Sequence, residues 1–404
     1  MRELSVNINF GDGPTHVGTL LGERGAIYFR YTAGFVASGR NLSPLKLRLD
    51  TSVQQADTPV FGGLFGVFAD SLPDGWGRLL LDRELLRRGV SLNDVDSLAR
   101  LAYVGTGGRG ALTYHPTLEA SIADVNPRIV LDELARQAIA VLKDHDLDEL
   151  PTLLRLGGSS GGARPKIQVL YNETTDHLLP AVHPAPPGYE AWIIKFSAAQ
   201  DQEGAAGAEY AYSLAARAAG LEMAPCRLFK GSSGQAYFGT RRFDRPGADR
   251  RLHLHSLAGL LHDNFRLTAL DYGHLMDATF RLEHSAAAYQ KVLRLAAFNV
   301  FAHNRDDHSN NFSFLMDETG QWSLAPAYDL TFSRPDHGEH SLTVAGEGRN
   351  PGREHLLSLA DHFSVRGAPA ILDEVTEAVS TLPRLLEEYG APRSMVSEVR
   401  QQLK

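Results

Sequence analysis

The 404 residues of this chain exceed what one ordinary core accommodates and call for two or three packed subdomains. A net charge of −8 argues against nucleic acid as a direct ligand, and the single cysteine, Cys226, excludes an intrachain disulfide and fits a reducing compartment. The N-terminus lacks an apolar signal core and no run reaches the roughly 18–20 apolar residues of a membrane span, so a cytoplasmic protein with no membrane partner is expected.

Leu4, Val6, Ile8 and Phe10 alternate with polar residues ahead of Gly11-Asp12-Gly13, which predicts a strand and a hairpin. Residues 26–31, then Leu45, Leu47 and Leu49, continue the β pattern. Over 61–88 the period changes: Pro73-Asp74-Gly75 marks a turn, and Leu79, Leu80, Leu85 and Leu86 follow at helical spacing. Residues 1–115 thus predict a small α+β unit. After Pro127, Leu131, Leu134, Ala135, Ala138 and Leu142 predict an amphipathic helix over 130–142.

A glycine-rich loop, 157–162, comes next. Strand character over 166–171, a turn over 183–188, a short buried strand over 190–196, a helix over 209–219 capped by Gly220 and a strand over 237–243 complete a β-rich lobe, 116–245. The remainder, 246–404, is mainly helical and is broken over 304–330. The 16 histidines are scattered. His253 and His255 stand close together, but no pattern supports a metal cage, so both are expected at the surface.

The polar break holds the main constellation. Asp306 is followed after four residues by Asn311, the D-x-x-x-x-N spacing of a kinase catalytic loop. Phosphoryl transfer needs a carboxylate to orient and deprotonate the attacking hydroxyl, and an amide oxygen nearby for Mg²⁺. Asp329, after an apolar segment, would place a second carboxylate on the same metal; hard Mg²⁺ is satisfied by two protein oxygens plus phosphates and water. Taken one at a time, these residues read equally as helix caps and turn residues.

Upstream, Gly157-Gly-Ser159-Ser160-Gly161-Gly162-Ala-Arg164-Pro165-Lys166 can bring backbone N–H groups close to phosphates. The loop lacks the Gly-Lys-Ser/Thr of a Walker loop, and Arg164-Pro165 opposes the helix that a dinucleotide loop opens. Gly157-x-Ser159-x-Gly161 matches the nucleophile elbow of hydrolases, but an elbow has a strand before it and a helix after it, and here a strand follows. Trp192-Ile193-Ile194-Lys195 resembles the strand that carries a kinase lysine. An ammonium at the end of a buried strand needs a partner, and either ATP phosphates or Glu209 would supply one.

In order, Gly-Ser-Ser-Gly-Gly-Ala-Arg-Pro-Lys, Ile-Ile-Lys195, Arg242-Phe243-Asp244-Arg245, Asp306-Asp307-His308-Ser-Asn-Asn311 and Ala325-Pro326-Ala-Tyr328-Asp329 resemble the HipA kinase series. Phe68-Ala-Asp70-Ser-Leu72-Pro73-Asp74-Gly75-Trp76-Gly77-Arg78 resembles the signature of that family's N-terminal subdomain. The resemblance covers nearly the whole chain. It implies an α+β chain with a two-lobed protein-kinase-like fold, an additional N-terminal α+β subdomain and a helical C-terminal lobe. It also implies ATP and Mg²⁺ as cofactors, Asp306 as the catalytic residue, and Asn311 and Asp329 as metal ligands. Lys195, Arg241, Phe243, Ser160, Gly161 and Gly162 would bind the nucleotide. Ser159 or Ser160 would be autophosphorylated. Asp307 and Asn310 are choices that the core motif leaves open. The implied partners are a HipB-like helix-turn-helix antitoxin on a separate chain and a protein substrate, which in that family includes aminoacyl-tRNA synthetases. Nucleic acid would be met only through the antitoxin. Two alternatives stand beside the protein serine/threonine kinase toxin: a small-molecule kinase of the aminoglycoside type, and a non-catalytic scaffold for a DNA-binding repressor.

Overall fold

The computed structural model describes residues 2–56, 59–118, 129–143, 149–158, 161–181, 185–198, 203–247, 249–334 and 338–403. The alternation at the N-terminus forms β1 (Arg2–Asn9), which buries Leu4, Val6 and Ile8 on one face. Gly11 and Gly13, both at positive φ, return the chain into β2 (Pro14–Glu23). With β3 (Ala26–Tyr31), β4 (Gln54–Gln55) and β5 (Leu112–His115) they make an antiparallel sheet of order β4-β3-β2-β1-β5. The alternation at Leu45, Leu47 and Leu49 is not a strand. The amides of Lys46 and Leu47 both turn back to Ser43 O, and the Gln54 side chain takes up Arg48 N and O, so the groups a ladder would use are already paired.

The second sheet, order β7-β6-β8-β10-β9, comprises β6 (Lys166–Asn172), β7 (His177–Pro180), β8 (Glu190–Lys195), β9 (Cys226–Lys230) and β10 (Ala236–Arg241). The helix expected after 209 begins earlier, spanning Ala205–Ala218, with Gly220 at positive φ just beyond it. The Gly75–Arg87 helix packs under this second sheet. It contributes Trp76, Leu80, Leu81 and Leu85 to the core that holds Ile167, Val169 and Ile194.

The third sheet interrupts the lobe expected to be mainly helical; its last two strands fall within the break expected over 304–330. It consists of β11 (His253–Ser256), β12 (Ser313–Met316) and β13 (Trp322–Leu324), paired in that order. Contrary to expectation, His253 and His255 are fully buried. They lie in β11 beneath the N-terminal subdomain and are held there: His253 Nε2 reaches Leu42 O at 3.0 Å, and His255 reaches Asp70 Oδ2 through Nδ1 at 2.6 Å and Ser43 Oγ through Nε2 at 2.9 Å. The helices Tyr272–Glu283, Ala287–Phe301, Arg353–His362, Ala368–Ser380, Leu382–Glu388 and Arg393–Gln402 enclose the remaining core. The architecture is α+β: a two-lobed kinase-like fold with an added N-terminal α+β subdomain and a helical C-terminal lobe. Among the described residues no helix is long and apolar enough to cross a membrane.

Candidate active site

β8 alternates so that Trp192 and Ile194 are buried and its last residue, Lys195, points into the cleft between the lobes. There Lys195 Nζ donates to Glu209 Oε1 at 2.9 Å and to Asp329 Oδ1. Glu209, 6% exposed on the Ala205–Ala218 helix, is therefore the carboxylate partner that the sequence left open. Burial alone would lower the Lys195 pKa, but the Asp329 and Glu209 carboxylates outweigh it and raise it. Burial acts on Asp329 in the opposite direction and is likewise overruled: Lys195 and Lys166 hold its carboxyl well below the usual range. Asp329 adopts φ 53°, a left-handed conformation uncommon outside glycine and typical of strained functional positions.

Sequence reasoning gave Lys166 no place among the nucleotide-binding residues. It sits directly opposite Lys195 in the β6–β8 register, is 7% exposed, and donates from Nζ to Gly161 O at 2.6 Å. Burial pushes its pKa down to about 8, with the Asp329 carboxylate opposing that shift. The signal was available: like Lys195, it is a lysine at the end of a strand of buried residues.

The Ala287–Phe301 helix delivers the chain to the polar loop. Ser333 Oγ accepts the backbone N–H groups of Arg305 at 2.7 Å and Asp306 at 2.8 Å. The Asp306 side chain itself is 62% exposed at the cleft mouth. The cleft walls raise its pKa, the Asp329 and Asp307 carboxylates add to that, and His308, with Nε2 3.7 Å away, opposes it. Asn311 donates from Nδ2 to Asp306 O at 2.8 Å, so the loop closes on itself and the amide oxygen is directed elsewhere. Asp307 turns inward. Its carboxylate accepts Tyr272 O–H at 2.8 Å, His340 Nδ1–H at 2.8 Å and Ser341 N–H at 2.8 Å, anchoring the loop to the helical core. Tyr328 donates its hydroxyl to Asn310 O at 2.9 Å, which ties the chain entering Asp329 to the same loop.

Asp306, Asn311, Asp329, Lys195, Gly161 and Gly162 thus gather around one cleft. Phe243 lies at its edge, its ring 5.5 Å from that of Tyr328. Arg241 directs its side chain away to Glu190 at 2.6 Å. Ser159 and Ser160 lie outside the described residues. The neighbouring Arg242, Asp244 and Arg245 are structural. The buried Asp244 pairs with Arg242 and Arg245, both at 2.8 Å, and accepts Gly110 N–H at 2.9 Å, joining the lobe connection to the N-terminal subdomain. A hydrolase elbow is ruled out by order, since the Leu150–Gly157 helix precedes the loop and β6 follows it. The asparagine oxygen and the ionised carboxylate are hard donors of the kind Mg²⁺ takes, so Asn311 and Asp329 fit that ion.

The HipA-like C-terminal domain model matches residues 158–382, and the HipA N-terminal domain model matches residues 8–115. The chain belongs to the HipA family. No curated protein matches the sequence. Among solved structures, this HipA-family chain is similar to HipA of Shewanella oneidensis MR-1, determined with HipB and its operator DNA: TM-score 0.68, 20% identity, 99% of this chain and 95% of that chain covered. A looser likeness, TM-score 0.40 at 13% identity over 60% of this chain and 90% of the other, is to the Helicobacter pylori proinflammatory kinase CtkA.

Proposed function

We propose that this HipA-family chain is an ATP- and Mg²⁺-dependent protein serine/threonine kinase, the toxin of a pair whose antitoxin is a separate HipB-like chain. The observation that carries the reading is the junction of Lys195 with Glu209 and Asp329, placed beside the loop of Asp306 and Asn311. Two lobes that share no local sequence meet there with the cation, base and oxygen donors that phosphoryl transfer needs.

In this reading the backbone N–H groups around Gly161 and Gly162 and the ammoniums of Lys166 and Lys195 hold the phosphates of ATP. Phe243 borders the adenine end. Glu209 keeps Lys195 charged and oriented. Asp306, exposed at the cleft mouth, accepts the proton of the attacking Ser or Thr hydroxyl and positions it in line. Mg²⁺ held by Asn311 and Asp329 would neutralise charge on the transferring phosphoryl group. Ser159 or Ser160 is the proposed site of autophosphorylation, which would add roughly −1.5 to −2 charge beside the triphosphate and switch the kinase off. The antitoxin partner is proposed from the family and from the HipA–HipB–operator complex of the Shewanella protein.

The deciding experiment is transfer of labelled phosphate from ATP to the protein itself and to a cell extract, with Asp306→Asn beside the wild type. Asp306→Asn keeps the size and removes the base. Transfer is expected to fall at least about a hundredfold with unchanged folding. Label appearing on small molecules and not on protein would replace the protein-kinase reading with the small-molecule one.

A further inference from the structure

Within the N-terminal subdomain one short segment, residues 70–76, touches both halves of the cleft. At one end the Asp70 carboxylate, 8% exposed, accepts Ser256 N–H at 2.7 Å, Ser256 O–H at 2.6 Å and His255 Nδ1–H at 2.6 Å. Ser256 in turn caps the Leu257–Leu261 helix by accepting Gly259 N–H at 2.9 Å. The far end of that helix is held from the same side, since Gly66 N–H donates to His262 Nε2 at 3.2 Å. A Cβ on Gly66 would collide with the Gly259 backbone, so the two chain segments meet in direct backbone contact. This helix and the turn after it support the catalytic loop: Leu257 N–H donates to Phe312 O at 2.8 Å, and Asp263, just beyond the helix, accepts the hydroxyl of Ser309 in the Ser309–Asn311 turn.

At its other end the segment grips the glycine-rich loop. Trp76 N–H donates to Gly162 O at 2.9 Å, and its indole Nε1–H donates to Lys166 O at 3.1 Å. Gly75 adopts φ 43°, and a Cβ there would run into the Gly162 carbonyl. Arg109 bridges the two ends. It donates to Asp70 O at 2.8 Å, and its guanidinium lies against Gly161.

We propose that residues 70–76 form a bracket that sets the glycine-rich loop against the catalytic loop, with Asp70 and Trp76 as positioning residues for phosphoryl transfer. The proposal rests on the kinase reading of the cleft. Its physical basis is that a buried carboxylate with several charge-assisted hydrogen bonds has one good arrangement and a steep loss away from it. A bracket built on such a group holds two loops of different lobes at a defined separation, which reacting groups demand to within a fraction of an ångström.

Three variants of the whole chain test it: Gly75→Ala, which pushes on Gly162; Asp70→Asn, which removes the carboxylate; and Trp76→Phe, which removes the indole donor together with part of a buried ring. Each is examined by hydrogen exchange, by thermal unfolding and by steady-state kinetics with Mg·ATP. Gly75→Ala and Trp76→Phe are expected to speed exchange over 161–166 and to raise KM for ATP, roughly tenfold for Gly75→Ala. Asp70→Asn is expected to speed exchange over 309–313 and to lower kcat roughly tenfold with KM for ATP within about twofold. Variants that lower Tm while exchange over 161–166 and 309–313 and the kinetic constants stay at wild-type values would overturn the bracket. A wild type without ATP turnover would overturn the kinase reading alone, and the exchange result would still decide the bracket. Should Gly75→Ala or Asp70→Asn fail to fold, Trp76→Phe decides it by the same exchange criterion.

Discussion

Lys166 shows how one residue's surroundings set a measurable pH dependence. Its ordinary pKa is 10.5, and burial in the folded chain pushes it down to about 8. Between those values the unfolded chain holds more protons than the folded one, so stability rises with pH from about 8 to 10.5. Lys166→Met should flatten that rise in urea midpoints measured across the window. A bound triphosphate favours the charged ammonium, so Mg·ATP binding at pH values above about 8 should take up protons and weaken as pH rises. Calorimetry in two buffers of different ionisation enthalpy reads the uptake directly. Lys166→Arg should abolish it, because a guanidinium stays charged throughout. Equal binding enthalpies in both buffers for the wild type would count against the placement of Lys166 at the phosphates.

At the scale of the element, the loop of Asp306 and Asn311 is held less by those two residues than by Asp307. Three donors meet that buried carboxylate, and Asn299 extends the network by donating to Tyr272 Oη at 2.8 Å. Asp307→Asn turns one acceptor into an NH₂ facing a donor, which should cost about 2–3 kcal/mol. Tyr272→Phe, which removes the donation to Asp307 and the bond accepted from Asn299, should cost about 1–3 kcal/mol. Denaturant midpoints check both, and under the proposed kinase function the Asp307→Asn variant should lose kcat more than affinity for ATP, because the loop carrying Asp306 loosens while Lys195 stays in place. An Asp307→Asn variant as stable as wild type would remove Asp307 from this role. The loop's spacing was legible in the sequence, but its anchor was not: the partners Tyr272, His340 and Ser341 arrive from far along the chain.

At the scale of the whole molecule the N-terminal subdomain is structurally committed to the kinase-like lobes. The Gly75–Arg87 helix supplies Trp76, Leu80, Leu81 and Leu85 to the core beneath the second sheet, and β11 places two buried histidines against Leu42 and Asp70. Residues 116–404 expressed alone should therefore lack cooperative unfolding and expose apolar surface. Deleting several large core side chains at once exceeds the usual margin of stability, about 5–15 kcal/mol. Near-UV circular dichroism and dye binding would show it, and a soluble fragment with a Tm near that of the full chain would contradict it.

The sequence by itself determined the elements whose pattern is local: the alternating β1, the strand ending in Lys195, the amphipathic helix at Leu131–Leu142 and the spacing of Asp306 and Asn311. Each follows from a period or motif written within a few residues. The tertiary structure alone decided where long-range partners stand. It chose Glu209 for Lys195, buried His253 and His255, placed Lys166 beside Lys195, and replaced the expected strand at Leu45, Leu47 and Leu49 by turns. The physical reason is the same throughout. A charge or a lone alternating pattern is satisfied equally well by water, a turn or a distant partner, and only packing the chain against itself removes the water and leaves one partner.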